Sequence, residues 1–166
     1  MPAAQHTEKT FTSLMGELDY PMFIVTTVAG DGERSGCLIG FATQISIRPP
    51  RFLVGLSEKN RTYRVAQRAE HVAVHFVPAD GEALAELFGS ETGDEIDKFA
   101  RCAWHDGPGG VPLLDAYENW FVGRVSSRVD AGDHDLYVLE PFAAGSSDPS
   151  AFTFHRAKHI HPRHAP

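Results

Sequence analysis

The run Lys59-Asn60-Arg61-Thr62 gathers residues that suit an anion. Asn60 is a good helix cap, and a helix start presents unpaired N–H groups and a partial positive charge to a phosphate. Lys59 and Arg61 add cationic partners. The same residues would equally cap a helix on a solvated surface. Upstream, Gly36, Gly40 and Ala42 punctuate a strand-like run over 36–46, and small side chains there let a flat ligand approach backbone N–H groups. A glycine inside a strand can instead mark a bulge. Histidines gather at the carboxyl end: His155, His159, His161 and His164. An imidazole donates a hydrogen bond and titrates near neutrality. Their spacing matches no closed tetrahedral set and no Cys or carboxylate joins them, so no metal site is expected. His71 and His75 cannot share a metal along one straight strand, since four residues span about 13 Å.

Other chemistries lack their motifs. The stretch from Gly30 to Ser35 misses the last glycine of a dinucleotide fingerprint and reads as a turn. No phosphate-binding P-loop, His-Glu-x-x-His or Gly-x-Ser-x-Gly run occurs. Any dinucleotide must therefore bind without a Rossmann unit.

The elements that would position these residues can be read from periodicity. Residues 1–6 read as a loose end, and Thr7 caps a helix with Phe11, Leu14, Met15 and Leu18 on one face. A strand over 22–29 turns at Gly30-Asp31-Gly32 into one long strand over 35–46, and Pro49-Pro50 stops sheet pairing. A buried strand over 52–56 precedes a helix near 62–69. Residues 71–77 alternate, with Val72, Val74 and Phe76 on one face and His71, Ala73 and His75 on the other. Asp80 caps a helix carrying Leu84, Leu87 and Phe88, and a second short helix covers 94–100. Long strands are expected over 117–129 and 134–140, and a last strand over 152–155. This pattern predicts one mainly β domain over 1–166, with 1–6 and 160–166 as loose ends and a closed or split barrel at its centre.

The chain has 166 residues, 42% hydrophobic and 22% charged, enough for one domain with a sizeable core. A net charge of -7 without a dense Lys/Arg block argues against nucleic acid. No run of about 18 apolar residues predicts a membrane span, and no signal pattern is expected at the amino terminus. Cys37 and Cys102 are too few for a disulfide framework and read as packed thiols. A soluble cytoplasmic protein is the expectation.

Four short motifs, in order, resemble the flavin reductase-like family. Residues 36–50, from Gly36-Cys-Leu-Ile-Gly through Ser46 to Pro49-Pro50, match its Gly-x-Thr-Ala-Asn-Ser-Phe-x-Ser-Val-Ser-x-x-Pro-Pro frame. An apolar strand and the Asn60–Thr62 turn follow, in place of its Ser-x-Thr. Asp97-Lys98-Phe99-Ala100 and Gly132-Asp133-His134 match two further stretches, and both read as structural: Asp133 bonds turn amides and His134 packs at a strand end, with an approach to the substrate side as its alternative. Phe154-His155-Arg156-Ala157-Lys158-His159 is similar to its Tyr-His-x-Gly-x-Tyr segment. Leu38, Gly40, Phe41 and Gln44 replace the polar residues usual in the family, whereas Thr43 and Ser46 remain.

The resemblance implies a six-stranded FMN-binding split β-barrel of Greek-key type, dimeric, with FMN near the subunit interface. It assigns cofactor binding to Leu38, Ile39, Gly40, Phe41, Ala42, Thr43, Gln44, Lys59, Asn60, Arg61 and Thr62, and a catalytic place beside flavin and nicotinamide to His155. It further implies hydride transfer from a transiently bound NAD(P)H to flavin, with FAD or a deazaflavin as alternative cofactors and a partner monooxygenase as a consumer of reduced flavin. A flavin-binding protein without turnover, or a related haem-binding barrel, is the alternative function.

Overall fold

The computed structural model describes residues 2–147 and 152–162. Its first half runs α1 (Pro2–Gly16), β1 (Phe23–Val28), β2 (Arg34–Ile39), β3 (Ala42–Ser46), β4 (Arg51–Ser57), α2 (Arg61–Ala66), β5 (His71–Phe76) and α3 (Glu82–Ser90). Then come β6 (Trp104–Asp106), β7 (Pro112–Leu114), β8 (Trp120–Asp130), β9 (His134–Gly145) and α4 (Phe154–Ala157). A 3-10 turn spans Lys98–Arg101.

β1 is rich in β-branched residues and folds back on β2 through a turn in which Gly32 takes a φ of 87°. The Asp31 carboxylate accepts the Glu33 N–H at 3.0 Å and fixes that turn. From β1 the sheet grows antiparallel in the order β2-β1-β5-β8-β9-β4-β3. β2 and β3 are consecutive in the chain but lie at its two ends, joined by Gly40-Phe41. Phe23, Phe52 and Phe121 meet edge to face inside the curl, at 5.5 and 5.0 Å, above the fully buried Val54, Tyr137 and Leu139. β6 and β7 form a second, two-stranded sheet. Buried His75 holds it to the first: Nδ1–H donates to the Ile24 carbonyl and Nε2 accepts the Leu114 N–H, both at 3.0 Å. Burial pushes its pKa down to about 4, so the ring is neutral.

A mainly β, antiparallel architecture is therefore observed, with seven strands in the large sheet rather than six. The extra strand arises because the expected run over 35–46 is broken at Gly40-Phe41, and β3 crosses to pair with β4. α1 begins at Pro2, so residues 2–6 are not loose; the Thr7 hydroxyl donates to the Ala3 carbonyl within the helix rather than capping it. α3 is preceded by Gly81, whose N–H turns back to the Pro78 carbonyl, and Asp80 does not cap it. The helix expected over 94–100 shrinks to the 3-10 turn, because Asp97 caps it by accepting the Phe99 N–H at 3.0 Å. No strand forms over 152–155: Phe152 and Phe154 bond the backbone of Val77, Met22 and Tyr20, and the chain then turns into α4.

Candidate functional site

A cavity of about 310 Å³ opens where β2 ends, between the start of α2, the end of α3 and the 152–162 segment. Its lining is mixed. Tyr20, Met22, Leu38, Phe41 and Phe154 supply apolar surface, and Tyr20 and Phe154 stack at 4.7 Å with planes only 14° apart. Ser57, Asn60, Arg61, Glu91, Thr92, Lys98 and His134 supply polar groups. A ligand with a flat apolar ring system and an anionic, hydroxylated tail fits that donor set and that size.

Of the residues singled out in the sequence, Leu38, Ile39, Gly40, Phe41, Asn60 and Arg61 line this cavity together. Ala42, Thr43, Gln44, Lys59 and Thr62 do not. β3 carries Ala42, Thr43 and Gln44 away to the sheet edge, where the Gln44 side chain bonds the Ser46 carbonyl. Lys59 stands exposed on the turn before α2. Thr62 is buried, and its hydroxyl shares a 2.9 Å hydrogen bond with Ser35. Its N–H is held by the Asn60 side chain at 2.9 Å, so Asn60 caps α2 as its residue type predicts. Arg61 is anchored by the Gly93 carbonyl and by Glu33 at 3.0 Å, which fixes its guanidinium at the cavity wall.

His155 lies outside the cavity lining. Its N–H donates to Asp19 at 3.0 Å and its ring nitrogen Nδ1 lies 3.5 Å from the same carboxylate, which is held below the usual range mainly by that backbone bond. The neighbouring Phe154 lines the cavity instead. His164 lies outside the described residues, and His159 pairs with Glu82 at 3.0 Å.

Two lining residues read from the sequence as structural stand at the site. His134 packs its ring 4.9 Å from Phe41 and is oriented by Asp133 at 2.7 Å, whose carboxyl the imidazole holds down. Lys98 is almost fully buried, and its ammonium donates to the carbonyls of Gly36 and Phe88 at 3.1 and 2.9 Å. Burial pushes its pKa down. The Asp-Lys-Phe-Ala spelling gave no sign that this lysine reaches under β2.

The family description "Flavin reductase like domain" matches residues 15–160. Among curated relatives, a flavin reductase (NADH) of Kitasatospora aureofaciens is 31% identical over 138 residues, covering 82% of this chain and 71% of that one. An NADH:riboflavin 5'-phosphate oxidoreductase of Streptomyces pristinaespiralis is 28% identical, covering 86% and 80%. The crystal structure of a flavin reductase domain protein from Arthrobacter sp. FB24 superposes with a TM-score of 0.80 at 23% identity, over 90% of this chain and 91% of the other. With the family description matching residues 15–160, a relative 31% identical over most of both chains and a shared overall fold, this chain belongs to the flavin reductase-like family.

Proposed function

We propose that the protein is an NADH-dependent flavin reductase that seats FMN in the cavity at the end of β2. The observation that carries this is a cavity lining that combines aromatic and aliphatic side chains with hydroxyl, amide and cationic ones. NADH is taken as the reductant because both relatives described above are named for it. Flavin, when bound, would supply the electron acceptor for a hydride from reduced nicotinamide. The chain's own residues bind and orient. Asn60, Arg61 and Lys98 hold the phosphate end, and Leu38, Ile39, Gly40 and Phe41 bed the ring system. His134, rather than His155, stands at the cavity, and its imidazolium form, with Nδ1–H held by Asp133, offers Nε2–H to charge that develops during transfer. Reduced flavin then serves a partner monooxygenase. The free thiols Cys37 and Cys102 suit a reducing, cytoplasmic setting.

A homodimer completes this reading. Its support is apolar surface that one copy leaves open: Ile45 and Ile47 beside β3, at 48% and 77% exposure, and the α1 face carrying Leu14, at 58%.

The test is anaerobic mixing of FMN-loaded protein with NADH. The wild type should bleach the flavin far faster than free FMN reacts, and His134→Ala should slow it by up to about 10²-fold while His155→Ala stays near wild type. Bleaching no faster than free FMN would leave a flavin-binding protein without turnover. Arg61→Ala should weaken FMN more than riboflavin, since only FMN offers a charged oxygen.

A further inference from the structure

A second, larger cavity of about 530 Å³ lies against the first, and Arg61 and Gly93 stand in the wall between them. That wall is closely fitted. The Arg61 guanidinium donates to the Gly93 carbonyl and, at 3.0 Å, to the Glu33 carboxylate. A side-chain carbon at position 93 would sit only 3.1 Å from the Arg61 Cδ, so glycine lets the arginine lie flat along the wall. The other Glu33 oxygen accepts from Arg68. Glu33 therefore ties the wall's guanidinium back to the turn between β1 and β2.

Beyond the wall the lining turns acidic, with Asp94, Glu95 and Asp97 joining Glu33. Arg64 takes both oxygens of Asp94, at 2.6 and 2.8 Å, and Asp97 accepts the Phe99 N–H. Glu95 is exposed, and its carboxylate has no partner among the described residues. The cations on this side are already engaged. Lys98 donates to two backbone carbonyls, and Arg34 lies 4.7 Å over the Trp104 ring and 3.9 Å from Asp106. A single phosphate on the near side can meet the Arg61 fork. A second phosphate carried past it would face carboxylates at close range, and like charges repel most where water is partly excluded.

Resting on the flavin site proposed above, we propose that Glu33 and Glu95 are specificity-determining residues that end the site at one phosphate, so that the protein takes FMN and rejects FAD. Glu33 acts twice, by holding Arg61 in the wall and by placing negative charge behind it. Glu95 acts by charge alone, because its carboxylate holds nothing in place.

Calorimetric titrations of the purified protein with FMN, FAD and riboflavin, at 0.1 M and 1 M salt, test this. The wild type should bind FMN about tenfold more tightly than FAD at the lower salt, and the gap should narrow at the higher, where screening acts within about 3 Å. A purely steric wall would discriminate equally at both. Glu95→Gln and Glu95→Lys should raise FAD affinity in steps of about twofold and fivefold, the scale of exposed charge pairs, with riboflavin unchanged and FMN moving less than FAD. Glu33→Gln should narrow the gap as well. Equal affinity for FMN and FAD in the wild type overturns the proposal, as does a gap that persists unchanged through the Glu95 series or through the change of salt; the flavin site then stands without it. If wild type binds neither FMN nor riboflavin, the flavin site itself falls and this proposal with it.

Discussion

His75 can stay in place only as a neutral ring, because one nitrogen must donate to Ile24 and the other must accept from Leu114. Its pKa falls from 6.5 to about 4 on folding, so the unfolded chain takes up a proton first as pH drops. Its stabilising contribution is complete above about pH 6.5 and drains away between 6.5 and 4, amounting to about 3 kcal/mol. Urea midpoints should therefore slide downward across that window, and His75→Gln, less stable at pH 7, should show a shallower slope. An unchanged slope would assign acid sensitivity to other groups. At this scale the sequence was legible where type and place coincide. Asn60 caps because asparagine before a helix does so, and Arg61 follows it to the cavity wall. Thr62, Lys98 and His155 were illegible, because what a side chain meets across the sheet has no trace in its neighbours. Thr62 meets Ser35 from β2, Lys98 the carbonyls of β2 and α3, and His155 the carboxylate of Asp19.

α2 is pinned to β2 through the buried hydroxyl pair of Thr62 and Ser35. Replacing Thr62 by alanine strands the Ser35 hydroxyl and should cost about 1–3 kcal/mol in stability. Because that hydroxyl faces β2 rather than the cavity, FMN and riboflavin should lose affinity alike, in contrast to Arg61→Ala. Thermal melts and parallel titrations separate the two outcomes; a selective loss of FMN would return Thr62 to the phosphate. Alternation and β-branching made β1, β5 and the hairpin at Gly32 readable from sequence. The break at Gly40-Phe41 was not, since both halves of the run over 35–46 have strand composition. α4 was missed for a related reason: Phe152 and Phe154 alternate like a strand, yet they bond single backbone groups of Val77, Met22 and Tyr20 and find no ladder to join.

For the molecule as a whole, fold class followed from the ordered motifs, while the exposed face of α1 emerged only once the sheet was in place. Phe11, Leu14 and Met15 of α1 sit at helical spacing with 58%, 58% and 41% of their surface open, and Leu18 lies just beyond the helix with 49%. A helix of 15 residues is marginal in water without a packed face. A second copy covering it should make the wild type a dimer by light scattering, and Phe11→Asp with Leu14→Asp should move the mass toward monomer. A monomeric wild type, or a double variant that remains dimeric, would remove α1 from the interface.

At Gly40-Phe41 the chain passes directly between the two strands that lie at opposite ends of the seven-stranded sheet. The cavity's lining comes from the residues before β1, from β2, the 40–41 crossing, β4, the 57–61 turn, the end of α3 and the 91–98 segment after it, the start of β9 and the 152–162 segment. No local piece of the chain contains it. In folding terms it is assembled by the slowest contacts, those between segments far apart in sequence. An occupant of that cavity is therefore a ligand of the fully formed sheet alone, and its binding free energy is added to global unfolding rather than to any one loop.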